Sequence, residues 1–563
     1  MKSFFIYFTA ALTVLLFNAC NKLNLTPPDQ PSSSSYYANQ TELEMAVDDL
    51  YRVDFWANDN ETYTDNHWYR GELGNAVTFG TMNSQDANVQ SYYQICYNAI
   101  ARANSFLAND NRAAANTPAA IIRQYEAEMR LIRAYQYSRL IEHFGDVPFI
   151  IAPQTLEESS NRQRTGQDTI LQFILKELDT AATILPNSYS GSQVQRLTKG
   201  AALAIKARTA LFYGKWDVAA AAAQSIIQLA NAGVYTLYSS YTNLFLTAGK
   251  NNSELIIRVP RSQALGVYTS GTEVQDFLPR NVGGFGARLP TREMFDAYEC
   301  TDGKLITQSP LYDYHNPFKN RDPRLTASIV EFSTIWLGVD YQPHPDTLKV
   351  FSTKTNGLIT NNDTRANATF ASYTGFLWRK GIEQSWVDKL AQDNDIIICR
   401  YAEMLLTYAE AKIELNQIDQ TVLDAINKVR ARAYGVAYTQ TASYPAITTT
   451  DQTQLRQIVR RERRVEFPLE GLRYMDLIRW KLAEKALTRP VIGLPDPANQ
   501  NRSKWPFPGV TPIDSDGVAD YSGFGTDVKI VAQRSFDKSK QYLWPIPDVE
   551  RRVNPKITQN PGY

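Results

Sequence analysis

The sequence predicts a mainly α fold: a tetratricopeptide-like scaffold of paired helices, with a long loop-rich region that contains short β-strands. Three observations carry this reading. In residues 121–150 the apolar positions Ile122, Tyr125, Met129, Ile132, Leu140 and Phe144 fall mostly three or four apart, and Gly145 and Pro148 follow; that is one helix face and its stop. Residues 200–230 and 401–432 each read as two helices around a short break, at Gly214 and near Asn416–Asp419. Alanines at their contact positions let the helices approach closely, as in tetratricopeptide-type repeats. Between about residues 233 and 395 the helical period fades while Tyr, Asn, Gly, Thr and Pro rise, and irregular chain of that length inside a compact protein is usually functional.

In chain order, Lys2 and the apolar run from Phe4 to Phe17 come first. The run is short of the roughly 20 residues a bilayer span needs and fits the apolar segment of a signal peptide covering residues 1–19. Asn18-Ala19-Cys20 then resembles the lipobox of bacterial lipoproteins, which makes Cys20 the expected lipidation site. Several acyl chains on one cysteine suffice for stable anchoring. No later stretch reads as transmembrane, so the mature protein is expected to be held to a membrane without crossing it. The Pro/Ser-rich "NKLNLTPPDQPSSSS" completes a flexible tether over residues 20–40. From residue 41 to 563 no linker interrupts the helical pattern, which predicts one globular unit, its N-terminal part ending near 232 and its C-terminal part starting near 233. Within the loop-rich region "SELIIRV" and "DTLKVF" read as strands, and residues 507–527 form a second loop-rich insert.

The composition excludes several function classes. With 58 basic and 58 acidic side chains the net charge is zero, so no global field draws nucleic acid. Cys96, Cys300 and Cys399 are odd in number and lack C-x-x-C spacing; buried free thiols are expected, without a disulfide framework or zinc site. The four histidines are scattered, and no H-E-x-x-H, G-x-S-x-G or phosphate-loop motif occurs. "DSDGVAD" (514–520) alternates carboxylates as a hard-cation loop does but lacks the closing bidentate glutamate, so it reads as a solvated turn. A structural calcium has no further support. No catalytic residue and no metal ligand are expected.

"RRERRVEFPLEGLRYMDLIRW" (460–480) packs six arginines against three glutamates and an aspartate. Asp451 and Gln454 predict a capping box for a helix ending near Glu466. Arg463–Glu466, Arg473–Asp476 and Asp476–Arg479 stand at ion-pair spacing. The net charge of +2 is too small for a phosphate-binding stripe, so the stretch reads as scaffold.

The same stretch resembles the SusD/RagB family of outer-membrane nutrient-binding lipoproteins of Bacteroidetes. The matching residues are Glu462, Arg463, Arg464, Glu466, Glu470, Gly471, Arg473, Asp476, Leu477, Arg479 and Trp480, followed by Pro545-Ile546-Pro547, Asn554-Pro555 and the terminal Gln559-Asn560-Pro561-Gly562-Tyr563. "RLIRAYQYSRLIEHFGDVPFI", "RDPRL" and "CRYAEMLLTYAEAKIEL" add further blocks. The resemblance implies a non-enzymatic protein at the outer-membrane surface. It would capture oligosaccharides, or in some relatives peptides, and act with a SusC-like TonB-dependent transporter. The reading from another class is a glycan-degrading lipoprotein enzyme.

Family motifs mark scaffold, so the ligand site is sought in the aromatic loops. Sugar recognition needs flat rings against C–H surfaces and polar side chains for hydroxyls. Residues 54–74 offer Trp56, Trp68 and Tyr69, and "STIWLGVDYQ" offers Trp336 and Tyr341; these five are the candidate ligand residues. Trp216, Trp378, Trp480 and Trp544 lie in family blocks and are expected to be structural.

Overall fold

The computed structural model describes residues 36–56, 59–70, 75–495 and 502–563. The first helix, α1 (Gln40–Asp48), starts where the Asn39 side chain accepts the Glu42 N–H. Asp86 caps α2 (Ala87–Asn109) in the same way through the N–H groups of Asn88 and Val89, satisfying donors that a helix start leaves open. The amphipathic stretch read from the sequence is α3 (Ala119–Phe144), and Gly145 at φ +69 ends it. There follow α4 (Gln167–Ile184), α5 (Lys199–Phe212) and α6 (Trp216–Asn231). Gly214, at φ +65, makes the turn between the last two. After the loop-rich region come α7 (Tyr401–Glu414), α8 (Gln420–Ala433), α9 (Gln452–Glu466) and α10 (Arg473–Arg479).

These helices stack in a row, each of α2 to α6 against the next, then α6 against α7 and α7 against both α8 and α9. Small residues set the spacing: Ala201, Ala204, Ala207 and Ala210 of α5 and Ala219, Ala222 and Ala223 of α6 are all buried. At Gly200 a Cβ would stand 2.0 Å from the Tyr235 hydroxyl, so no larger residue fits there. Although α6 and α7 touch, residues 232–400 lie between them in the chain. The loop-rich region is thus an insertion into an otherwise continuous helical row.

That insertion has its own framework. Strand β1 (His67–Tyr69) comes from the N-terminal part, and β2 (Leu255–Val259), β3 (Arg288–Pro290), β4 (Thr334–Trp336), β5 (Val339–Tyr341), β6 (Lys349–Ser352), β7 (Gly357–Thr360) and β8 (Ile396–Arg400) follow. The stretches read as strands from the sequence are β2 and β6. Strands β4 to β7 form an antiparallel meander, while β2 pairs with β8 where the insertion leaves and rejoins the helices. Strand β1 pairs with β3, with Trp68 opposite Leu289 and Tyr69 opposite Arg288. A second apolar core, around Phe295, Phe376, Trp378 and Phe507, fills the insertion. The main core runs through the helical row from Leu43 to Ile557.

The arginine-rich block is scaffold, and its charges pair mostly between elements, not at the spacings read along the chain. Helix α9 ends at Glu466 and Asp451 caps it, as expected, but the Gln454 side chain turns to the Thr449 hydroxyl (3.0 Å). Of the three spacings, only Asp476–Arg479 forms a pair, at 2.7 Å. Arg463 instead meets Asp476 at 2.9 Å, and Arg473 meets Asp65 of the N-terminal part at 2.9 Å. Glu466, fully buried, accepts from Arg324 (3.0 Å), Arg400 (2.7 Å) and Arg432. Glu470 takes Arg400 (2.7 Å) and Lys380 (2.6 Å), and Glu462 takes Arg324 (2.7 Å) and Arg430 (3.1 Å). Burial alone would raise the Glu466 carboxyl, yet Arg432, Arg400 and Arg324 hold it down to about 2. The block therefore bolts insertion, helical row and N-terminal part together through buried, mutually neutralised charge. Cys96, Cys300 and Cys399 are free and buried.

Candidate ligand-binding site

The short β1–β3 ladder decides where the aromatic residues of the 54–74 segment point. Alternation along β1 puts His67 and Tyr69 on one side and Trp68 on the other. On the first side His67 is buried, and its Nδ1 accepts the Trp378 Nε1–H at 3.0 Å. Burial and the Arg288 charge push its pKa well below the ordinary histidine value, so it is neutral. The Arg288 guanidinium lies 4.4 Å from the Tyr69 ring centroid. On the second side Trp68 stacks on Tyr373, with centroids 5.6 Å apart and planes 21° from parallel.

Around that stack lies a ledge of rings and guanidiniums. Arg70 sits in the seam between two rings, its Cζ 5.5 Å from the Phe370 centroid and 5.7 Å from that of Tyr373. Arg365 covers Tyr373 at 4.6 Å. Arg70 donates to the Phe285 carbonyl (3.0 Å) and to the Phe370 carbonyl, and Arg280 donates to that same Phe370 oxygen at 3.4 Å. Trp68, Tyr69 and Tyr373 are half-buried, held by the second core yet reachable, and Phe370 is 56% exposed. Such a surface offers flat faces for C–H groups and N–H donors at their edges for oxygens.

The ladder also borders a cleft of about 450 Å³, lined by His67, Phe277, Arg288, Lys380 and Trp386 among others. That volume is within the range of small-molecule pockets. Two buried polar atoms of its lining, Glu61 Oε2 and His67 Nε2, have no hydrogen-bond partner among the described residues. Burial lifts the Glu61 carboxyl to about 7.

Of the five candidate residues, the fold brings together Trp68 and Tyr69 on the ladder and removes the other three. Trp56 is 2% exposed; it stacks on Tyr135 at 4.9 Å and donates Nε1–H to the Leu50 carbonyl at 2.8 Å, so it is core of the helical row. Trp336 and Tyr341 face the inner side of the meander, and Tyr341 donates its hydroxyl proton to the Gly375 carbonyl at 2.9 Å. The positions just before them, Ile335 and Asp340, pair with each other on the opposite face, which the composition of the loop did not reveal. Cys20 lies outside the described residues. The sequence reading missed Arg70, Arg280, Phe370 and Tyr373. Arg70 stood two residues from Trp68, but only the fold brings the others there. Trp378 and Trp544 are core, as expected of family-block tryptophans, and Trp480 donates to Glu410 at 2.7 Å.

Among the described residues no group of three or more His, Cys, Asp or Glu side chains is placed to hold a metal ion. Asp514 and Asp516 of the 514–520 turn both pair with Lys485, each at 2.7 Å. No described helix is long and apolar enough to cross a membrane.

A family model for the SusD family matches residues 249–563, more than half the chain, and a second, described as starch-binding associating with outer membrane, matches residues 30–211. The chain belongs to the SusD family. Among similar SusD-like proteins are one from Formosa agariphila, P25, 27% identical over 410 residues (70% of this chain, 71% of the relative), and one from Bacteroides ovatus, 25% identical over 506 residues (84% and 81%). A solved SusD-like carbohydrate binding protein from Bacteroides fragilis is 29% identical with a TM-score of 0.75, covering 93% of this chain and 99% of that one. A laminarin binding SusD-like protein, 21% identical with a TM-score of 0.62 over 94% of this chain and 100% of its own, shares the fold. Most of the SusD block read from the sequence, including the whole 460–480 stretch, falls within the first match.

Proposed function

We propose that this SusD-family protein is a non-catalytic, lipid-anchored outer-membrane protein that captures oligosaccharides at the cell surface and delivers them to a SusC-like TonB-dependent transporter. The observation that carries the reading is the Trp68–Tyr373 stack, a half-buried ring on the ladder against one from the 361–383 loop, with guanidiniums beside them. A sugar ring laid on Trp68 covers its apolar face, while Arg70 and its neighbours reach hydroxyl oxygens. The family description of the N-terminal match as outer-membrane-associated supports the location, and acylation of Cys20 would provide the attachment. The carbohydrate-binding relative from Bacteroides fragilis supports the ligand class.

The test is a binding screen of the chain lacking residues 1–20 against a glycan array and a peptide library, with product analysis of any glycan bound. Retention of an unchanged glycan, lost on Trp68→Ala with thermal stability kept, is the expected result. Selective binding of peptides, or release of a shortened glycan, would replace this reading with peptide capture or with hydrolysis.

A further inference from the structure

The arginines of the ledge stand out by what they lack. In the buried block, Arg324, Arg400, Arg430, Arg463 and Arg479 each meet at least one carboxylate. Arg70 and Arg280 meet none among the described residues. Both are half-buried, and both aim at one carbonyl oxygen, that of Phe370. Two like charges held this close repel, and partial burial removes the water that would screen them. Burial and the neighbouring Arg280 charge accordingly push the Arg70 guanidinium below its ordinary value. Asp276 attracts Arg70 and Asp363 attracts Arg280 from beyond ion-pair distance, and each carboxylate makes its nearer contacts to other groups. Asp363 accepts the backbone N–H groups of Arg280 (2.7 Å) and Asn281 (3.1 Å), and Asp276 faces Arg288 at 3.8 Å. Arg280 Nε is moreover buried without an acceptor among the described residues.

Two neighbouring guanidiniums without a direct ion pair leave room for an anionic group carried by the ligand to make one. We propose that the oligosaccharide this ledge takes is acidic, and that its anionic substituent, a carboxylate or a sulfate ester, docks between Arg70 and Arg280. The inference rests on the ledge being the ligand site. The stereochemistry agrees with it: a C6 carboxylate or a sulfate ester projects from the rim of a pyranose. A ring stacked on Trp68, Tyr373 or Phe370 therefore sends that group sideways, toward the seam that Arg70 occupies. The planar guanidinium fork matches either oxyanion, and each charge-assisted hydrogen bond formed there exceeds a neutral one.

The experiment compares length-matched neutral, uronate-bearing and sulfate-bearing oligosaccharides by calorimetry, on the chain lacking residues 1–20, at 50 and 500 mM NaCl. The readout is the ratio of acidic to neutral affinity. The expected result is a ratio of about tenfold or more at low salt, shrinking at high salt and falling to about one in the Arg70→Gln/Arg280→Gln double variant. Arg70→Lys, which keeps the charge, should retain part of it. The uronate and sulfate arms separate the two sources of the anion. Equal affinity for neutral and acidic glycans, or a preference that survives the double variant with its fold intact by melting, overturns the inference while leaving glycan capture standing. Binding of no glycan at all, or of acidic peptides alone, overturns both.

Discussion

Two regions of this molecule are rich in arginine and use it in opposite ways. In the 460–480 block and the elements around it, each guanidinium named above meets carboxylates in the interior, and Glu466 alone accepts from three arginines. On the ledge, Arg70 and Arg280 gather around one carbonyl oxygen beside half-buried rings, without an ion-pair partner among the described residues. Burying a charge is tolerated when its partner is buried with it, since the local attraction offsets lost hydration. A charge left without a direct ion pair at a reachable aromatic surface is instead available to a ligand. The same residue type is therefore cement in one place and, in the binding mode proposed above, a docking group in the other. The difference lies in whether the chain itself supplies the direct ion pair.

The comparison can be broken most forcefully by acid. The Glu466 and Glu299 carboxyls, both held to about 2 by the arginines around them, lie below the ordinary glutamate value. Their stabilisation is thus complete above about pH 4.5 and is lost as pH falls toward about 2. Thermal melts at pH 7, 4.5 and 3 should show a plateau and then a steep fall; a flat melting temperature down to pH 3 would remove the block from its structural role. Next in size, Glu466→Gln leaves three buried arginines short of one charge and should cost about 3–5 kcal/mol of stability by denaturant titration. Arg70→Gln should stay within about 0.5 kcal/mol of the parent.

Tryptophan substitutions sharpen the contrast further. Trp56→Ala and Trp336→Ala should each cost about 3–5 kcal/mol of stability, because each opens a cavity in a core. Trp68→Ala should instead weaken glycan binding by about 1–3 kcal/mol, the size of a lost contact face, at nearly unchanged melting temperature. The smallest effect is expected at Phe370, 56% exposed: Phe370→Ala should lower glycan affinity by about 0.5–1 kcal/mol and leave stability alone. Should Trp336→Ala alter affinity while leaving stability intact, the assignment of the meander's inner face to the core would fail.

Much of the fold was legible in the sequence because its causes are local. The 3.6-residue period from Ile122 to Phe144, the alanines of residues 200–230 and the capping Asp451 act within a few residues of themselves, and α3, α5, α6 and α9 formed where they indicated. The SusD resemblance was legible because the residues that carry it, such as Glu462, Arg463, Glu466 and Glu470, stand together in one short block. The site was only half legible. Residue type selected Trp68 and Tyr69, which the fold leaves half-buried on the ladder, but the same criterion also selected Trp56, Trp336 and Tyr341, whose rings serve cores.

What the sequence by itself determined, then, is the helical row, the loop-rich insertion and the family. Helical period, turn glycines and a dense charge block are properties of neighbouring residues. Only the tertiary structure decided which face of β4 and β5 turns inward, which acid each buried arginine meets, and that Arg280, Phe370 and Tyr373 come to stand beside Trp68 and Arg70. The physical reason is the same in each case. A strand's two faces are equivalent until one is buried, and a charge takes the partner that burial brings nearest. At Arg473 that partner was Asp65, from the far end of the chain, and the Asp476 three residues away was taken by Arg463 and Arg479.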